Sequence, residues 1–142
     1  MDRNVLLALG AAQEAWRDSG LNGVDPARVG IVVGSAIGGL PGIAEQHDVL
    51  RERGPDRVSP FFIPSVLVDS ASGQIAISLG LRGPNYAPVS ACATGSHAVG
   101  EGAELIRRGA ADAVLAGGTE SCIHPLILAG FCAMWWASLE AP

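Results

Sequence analysis

Apolar residues recur along this chain in two different periods, and the two alternate. Between residues 4 and 19, Val5, Ala8, Leu9, Ala12 and Trp16 return every three or four positions, which gathers them on one face of a helix. Asn4 is placed to cap that helix, and Gly20 to close it in the left-handed conformation. Residues 29–33 (VGIVV) are instead an unbroken apolar run. Such a run suits a parallel strand covered on both faces, because it has no solvent side to alternate toward. GSAIGG at 34–39 predicts a flexible strand-to-helix turn, Pro41 sits in the first turn of a helix reaching Arg53, and Gly54 stops it.

Residues 54–64 (GPDRVSPFFIP) hold three prolines and predict irregular chain. Ser65 is placed to cap a helix running to Leu79, with Gly80 closing it. GLRGPNYAPVSA then leads through turns and a short extended segment to Cys92. A helix follows from Ala93 to Arg108, ended by Gly109, with Arg107 and Arg108 at its negative pole. Asp112–Gly118 (DAVLAGG) is a second apolar strand with a glycine turn. Helices alternating with unbroken apolar strands predict an α/β fold with a mostly parallel sheet.

Composition sharpens this picture. With 49% hydrophobic and only 16% charged residues over 142 positions, the chain is apolar for a small domain. Either much of its surface is covered by a partner, or it is part of something larger. A net charge of −5 without a basic stripe argues against nucleic acid. Three cysteines without CxxC spacing form neither a disulfide framework nor a zinc site, and a reducing cytoplasm fits them. Asp2, Arg3 and Asn4 precede a helical pattern, not the apolar core of a leader. Residues 121–139 carry no formal charge, but Ser121, His124, Pro125, Gly130 and Ser138 dilute them, so a buried segment is expected over a membrane span.

The chemistry centres on Ala91-Cys92-Ala93-Thr94-Gly95, where extended chain turns into a helix. The positive helix pole and its unpaired N–H groups favour a thiolate there and can stabilise an oxyanion formed on attack of a thioester. Gly95, Gly100 and Gly102 each cost the helix up to about 1 kcal/mol relative to alanine, which points to close approach of another helix and a central, buried position. From spacing alone, Cys92 fits a nucleophile and a small buried hydrophobe equally well.

The stretch GLRGPNYAPVSACATGSHAVGEGAELIRRGAADAVLAGGTES closely resembles the nucleophile region of β-ketoacyl-[acyl-carrier-protein] synthases, the fatty-acid elongating enzymes first and polyketide ketosynthases next. DSGL, VGIVVGSAIGGL and VSPFFIPSVLVDSASGQIAISLGL match upstream in the same order, so the resemblance covers about residues 2–134. It implies a thiolase-like fold, and places the whole chain, 1–142, within its N-terminal half, without the first strand region and without the C-terminal half. It also implies that Cys92 accepts an acyl group from the phosphopantetheine of an acyl carrier protein, with no cofactor or metal of the enzyme's own. The full enzyme then decarboxylates malonyl carrier protein, and the carbanion attacks the Cys92 thioester in a decarboxylative Claisen condensation.

Position by position, the resemblance makes Ile37 and Phe131 lining residues of the acyl pocket and places Phe62 in a loop that reaches the other subunit of a homodimer. Core packing is the plainer reading of Ile37 and Phe131, and loop anchoring that of Phe62. Ile127 stands where related enzymes often carry glycine near the acyl channel, so a preference for short or medium acyl groups is expected. The family's two catalytic histidines and lysine come from its C-terminal half. This chain has no lysine, and His47, His97 and His124 match none of those positions, which implies that it does not condense alone. Trp135 stands where relatives carry an arginine that helps dock the carrier protein. Three other readings compete: a non-catalytic module that only pairs with a partner chain, a thiolase-type acyltransferase, and a nucleotide loop at GSAIGG, which lacks the full GxGxxG spacing.

Overall fold

Strand β1, Val29–Gly34, lies at the centre of the computed structural model, which describes the backbone of residues 1–140 and the side chains of residues 1–135. All six of its residues are buried. On one side it pairs in parallel with the short β2, Asn85–Tyr86, and on the other with β3, Ala113–Gly118, giving the order β2-β1-β3. The β1–β3 register runs from Val29 opposite Ala113 to Gly34 opposite Gly118.

Alternation along β1 divides the core between two helical layers. Val29, Ile31 and Val33 pack with Ala8 and Ala12 of α1 (Arg3–Asp18) and with Ala71 and Ile75 of α4 (Ser70–Leu79). Val32 points the other way, onto Ala98 and Leu105 of α5 (Thr94–Arg107). Full burial of Ile31, Ile75 and Leu105 stabilises the fold by about 1.5–3 kcal/mol each. The expected parallel α/β architecture, with β1 covered on both faces, is therefore present. Helix α2, Leu40–Arg53, buries none of its residues and packs on the short α3, Phe62–Val66.

Several local expectations are corrected. Asp2, not Asn4, caps α1: its carboxylate accepts from the Asn4 N–H at 3.2 Å, while the Asn4 side chain is buried. The helix expected from Ser65 to Leu79 is two helices, because Leu67 is extended between α3 and α4. Ser65 lies inside α3 and donates to the Phe62 carbonyl, so it caps nothing. Residues 54–64 are not wholly irregular, holding a 3₁₀ turn at Pro55–Arg57 and the start of α3. Helix α5 is not buried all round: Thr94, Ala98, Gly102 and Leu105 face the sheet, while Val99 and Ile106 are exposed. Gly95 and Gly102 approach a strand and not another helix, with a Cβ at Gly102 falling 3.2 Å from Ala116 and Val114, and Gly100 has nothing within 4 Å.

The uncharged stretch forms α6, Pro125–Glu140, and is not a buried segment: Leu126, Phe131, Met134 and Trp135 are all more than half exposed, while Ile127 is buried. No helix among the described residues is long and apolar enough to cross a membrane. The side chain of Trp136 and residues Ala141 and Pro142 lie outside the described residues.

Candidate active site

The C-terminal ends of β1 and β3 meet the turn that precedes α5, in the crevice where open α/β sheets characteristically hold ligands. Two glycines permit the meeting. A Cβ at Gly34 would collide with the Pro88 carbonyl and come within 2.6 Å of the Thr94 methyl. A Cβ at Gly118 would lie 3.1 Å from the Gly95 Cα, so the strand end and the first turn of α5 touch through backbone.

The turn itself is a 3₁₀ segment, Ala91–Ala93, with Ala91 at φ +50°, a left-handed conformation that L-residues rarely adopt. Thr94, 4% exposed, holds it from both sides. Its hydroxyl accepts from the Ser90 N–H at 2.9 Å and donates to the Ala91 carbonyl at 2.7 Å. His97, one helical turn further on, has its Nδ1 2.6 Å from the Ser90 Oγ. The strained turn presents Cys92 to solvent, in a cavity of about 290 Å³ lined by Gly34, Ala36, Thr94, Gly95, Thr119 and Glu120 among others. A thiol here is accessible, stands just ahead of the positive pole of α5, and is surrounded by small residues. Cys92 is thus not the small buried hydrophobe that its spacing also allowed.

Glu120 is the site residue that sequence reasoning missed. Its Oε2 accepts from the N–H groups of Ala36 and Ile37, each at 3.1 Å, and its carboxylate also accepts from the Ser35 hydroxyl at 3.2 and 3.3 Å. The donors of the GSAIGG loop are thus committed within the chain, Ala36 and Ile37 to the Glu120 carboxylate, Gly38 to the Ser35 hydroxyl and Gly39 to the Val66 carbonyl, which removes the nucleotide-loop reading. The available signal was an acidic residue directly after the glycine turn of an apolar strand. Burial, reinforced by Glu120, pushes the Cys122 thiol up from its ordinary value.

Ile37 is half-buried and does not line the Cys92 cavity, although its neighbour Ala36 does. Phe131 borders a separate, larger cavity of about 530 Å³ with Leu7, Ile123 and Leu128, and Glu120 borders that one too. Phe62 lies away from both, in a cavity of about 360 Å³ with Met1, Glu45 and Gln46. Ile127 is 7% exposed and lines none of these three cavities. None of the histidines borders the Cys92 cavity: His47 is exposed on α2, His97 braces the turn, and His124 accepts from the Leu126 N–H at the start of α6. Among the described residues no cluster of three or more His, Cys, Asp or Glu could hold a metal ion.

The family profile described as "Beta-ketoacyl synthase, N-terminal domain" matches residues 1–140. The 3-oxoacyl-[acyl-carrier-protein] synthase 2 of Coxiella burnetii is 46% identical over 132 residues, 92% of this chain and 32% of that protein. The enzyme of the same name from Staphylococcus aureus is 46% identical over 135 residues, 94% of this chain and 33% of that protein. The chain therefore spans about a third of the length of these curated relatives. Among solved structures, a type II PKS acyl-carrier protein in complex with its ketosynthase (AntDE:AntF) superposes with a TM-score of 0.84 at 27% identity, covering 89% of this chain and 37% of that one. A β-ketoacyl synthase from Burkholderia phymatum superposes with a TM-score of 0.82 at 26% identity, covering 94% and 33%. These neighbours carry the thiolase-like fold, as expected. The chain belongs to the β-ketoacyl synthase family, which it matches through the family's N-terminal domain.

Proposed function

We propose that this chain supplies the acyl-accepting part of a β-ketoacyl-[acyl-carrier-protein] synthase, with Cys92 as the nucleophile. The observation that carries the reading is an exposed thiol at the head of α5, in a cavity at the strand ends, within a chain of this family. Cys92 Sγ attacks the carbonyl of an acyl thioester on the phosphopantetheine of an acyl carrier protein. The new Sγ–C bond forms, the pantetheine C–S bond breaks, and the pantetheine thiol leaves with the proton. In the whole enzyme, malonyl carrier protein then loses carbon dioxide, and its carbanion attacks the Cys92 thioester, lengthening the chain by two carbons and freeing Cys92.

In this reading Ile37 and Phe131 line the acyl pocket, Ile127 lies near its channel, and Phe62 reaches the pocket of the second subunit. Phe131 beside an apolar cavity supports it best. The partners are an acyl carrier protein and a second subunit of the same kind, no cofactor is used, and the setting is cytoplasmic. A ketosynthase neighbour in complex with an acyl-carrier protein supports the carrier as partner.

The chain accepts an acyl group but does not condense it. No lysine is present and no histidine reaches the cavity, and the loss of even one oxyanion donor typically costs about 10² to 10³ in rate. Incubation with acyl carrier protein, followed by peptide mass spectrometry, is expected to show an acyl adduct on Cys92 that Cys92→Ala abolishes. Adding malonyl carrier protein is expected to give no β-ketoacyl product. Product abolished by Cys92→Ala would overturn the second statement. A folded chain that takes no acyl group would overturn the first and favour a non-catalytic pairing module.

A further inference from the structure

The two cavities on this face meet at a single side chain. Glu120 lines both the cavity at Cys92, about 290 Å³, and the apolar cavity of about 530 Å³. Among the described residues it alone borders the two. The second cavity offers Leu7, Pro41, Ile123, Leu128 and Phe131, a lining suited to hydrocarbon, with Asp2, Arg3, Ser121 and Cys122 at its polar side. Each methylene of a saturated chain gains by entering such a space. Glu120 is the side chain common to the Cys92 cavity and this lining.

The Glu120 carboxylate is not free to swing aside. The Ala36 and Ile37 N–H groups hold Oε2 at 3.1 Å each, and the Ser121 N–H reaches Oε1 at 3.2 Å. The Ser35 hydroxyl donates to the same carboxylate at 3.2–3.3 Å; Ser35 is 1% exposed and is itself fixed by accepting the Gly38 N–H at 2.9 Å.

We propose that Glu120 is a specificity-determining partition: pinned by the Ser35–Ile37 loop, it separates the nucleophile's cavity from the apolar one and limits how long an acyl group Cys92 accepts. The inference rests on the acyl-accepting reading of Cys92. It assigns the limit to Glu120, at the mouth between the cavities, and not to Ile127, which borders neither.

Methyl and octyl methanethiosulfonates test it on the chain itself. The Cys92 thiolate attacks the sulfenyl sulfur, a disulfide forms, and methanesulfinate leaves with the electron pair, so no other reactant is needed. Rates are read at the Cys92 peptide by mass spectrometry, with a thermal melt confirming the fold of each variant. Glu120→Ala is expected to raise the octyl-to-methyl rate ratio on the order of tenfold. Glu120→Gln, of equal volume, is expected to keep the native octyl-to-methyl ratio. If Glu120→Ala does not fold, Glu120→Asp carries the test, since it is one methylene shorter and still anionic; its ratio is expected to exceed the native one. Equal changes for both reagents, an unchanged ratio, or a Gln variant that behaves like Ala would each overturn the partition with Cys92 still reactive. A folded native chain whose Cys92 takes neither reagent removes the acyl-accepting reading instead, and the partition with it.

Discussion

The turn that offers Cys92 is held by groups that contribute no chemistry of their own. Ala91 at φ +50° is strained by about 1–3 kcal/mol and persists because Thr94 grips the backbone on both sides. Thr94→Val keeps the shape and removes the hydroxyl, leaving the Ser90 N–H without its partner. The expected loss is about 1–3 kcal/mol in urea unfolding, together with a changed labelling rate at Cys92 relative to Cys132 in the same molecule. Thr94→Ser is expected to restore both, and a Val variant with native stability and native labelling would refute the bracing role. Reactivity offers a second measurement. Under limiting iodoacetamide at neutral pH, Cys92 is expected to be alkylated several-fold ahead of Cys122, because Cys92 is exposed while burial and Glu120 push the Cys122 thiol up. Equal labelling in a chain shown to be folded would count against it. Local sequence placed Cys92 where extended chain turns into a helix but left its role open, and only the family resemblance pointed to a nucleophile. The Glu120 contact was not legible there, because 85 positions separate it from Ser35.

At the scale of elements, two glycines have opposite roles. Gly34 ends β1 with no room for a Cβ, and Gly34→Ala is expected to destabilise by about 1–3 kcal/mol. Gly100, in the middle of α5, has nothing within 4 Å, so Gly100→Ala is expected to stabilise by up to about 1 kcal/mol. Chemical denaturation of the pair checks both signs at once. The starts of β1 and β3 are tied by Arg28, whose Nε and Nη2 reach the Asp112 carboxylate at 3.2 and 2.6 Å. That hydrogen bond holds the Asp112 carboxyl below its ordinary value of 3.8. The stability it adds is therefore complete above that value and lost as the pH falls through the lower folded one. Melting curves are expected to show the native chain ahead of Asp112→Asn at neutral pH, by a small margin since the pair is exposed. The margin should close in acid, and one that persists or widens there would contradict the linkage.

Over the whole molecule, the apolar excess read from composition becomes a located surface. Ile123 is 89% exposed, Met134 68%, Trp135 66% and Phe131 58%, all in α6 or just before it. A surface of this kind is expected to drive association, seen as a sedimentation coefficient that rises with concentration; a monomer at every concentration would refute it. Local pattern determined a good deal of this protein unaided: the unbroken run at β1, the helix faces of α1 and the glycine stops at Gly20, Gly54 and Gly109 each follow from contacts or dihedral preferences within a few residues. Tertiary structure decided the rest. Only when β1 and β3 pair do Gly34 and Gly118 bring the Cys92 turn against the strand ends and carry Glu120 to Ser35 and Ile37. Sequence also could not tell that α6 lies open while β1 is enclosed. Both are apolar, and burial depends on which neighbours the folded chain supplies, a long-range property that no local window contains.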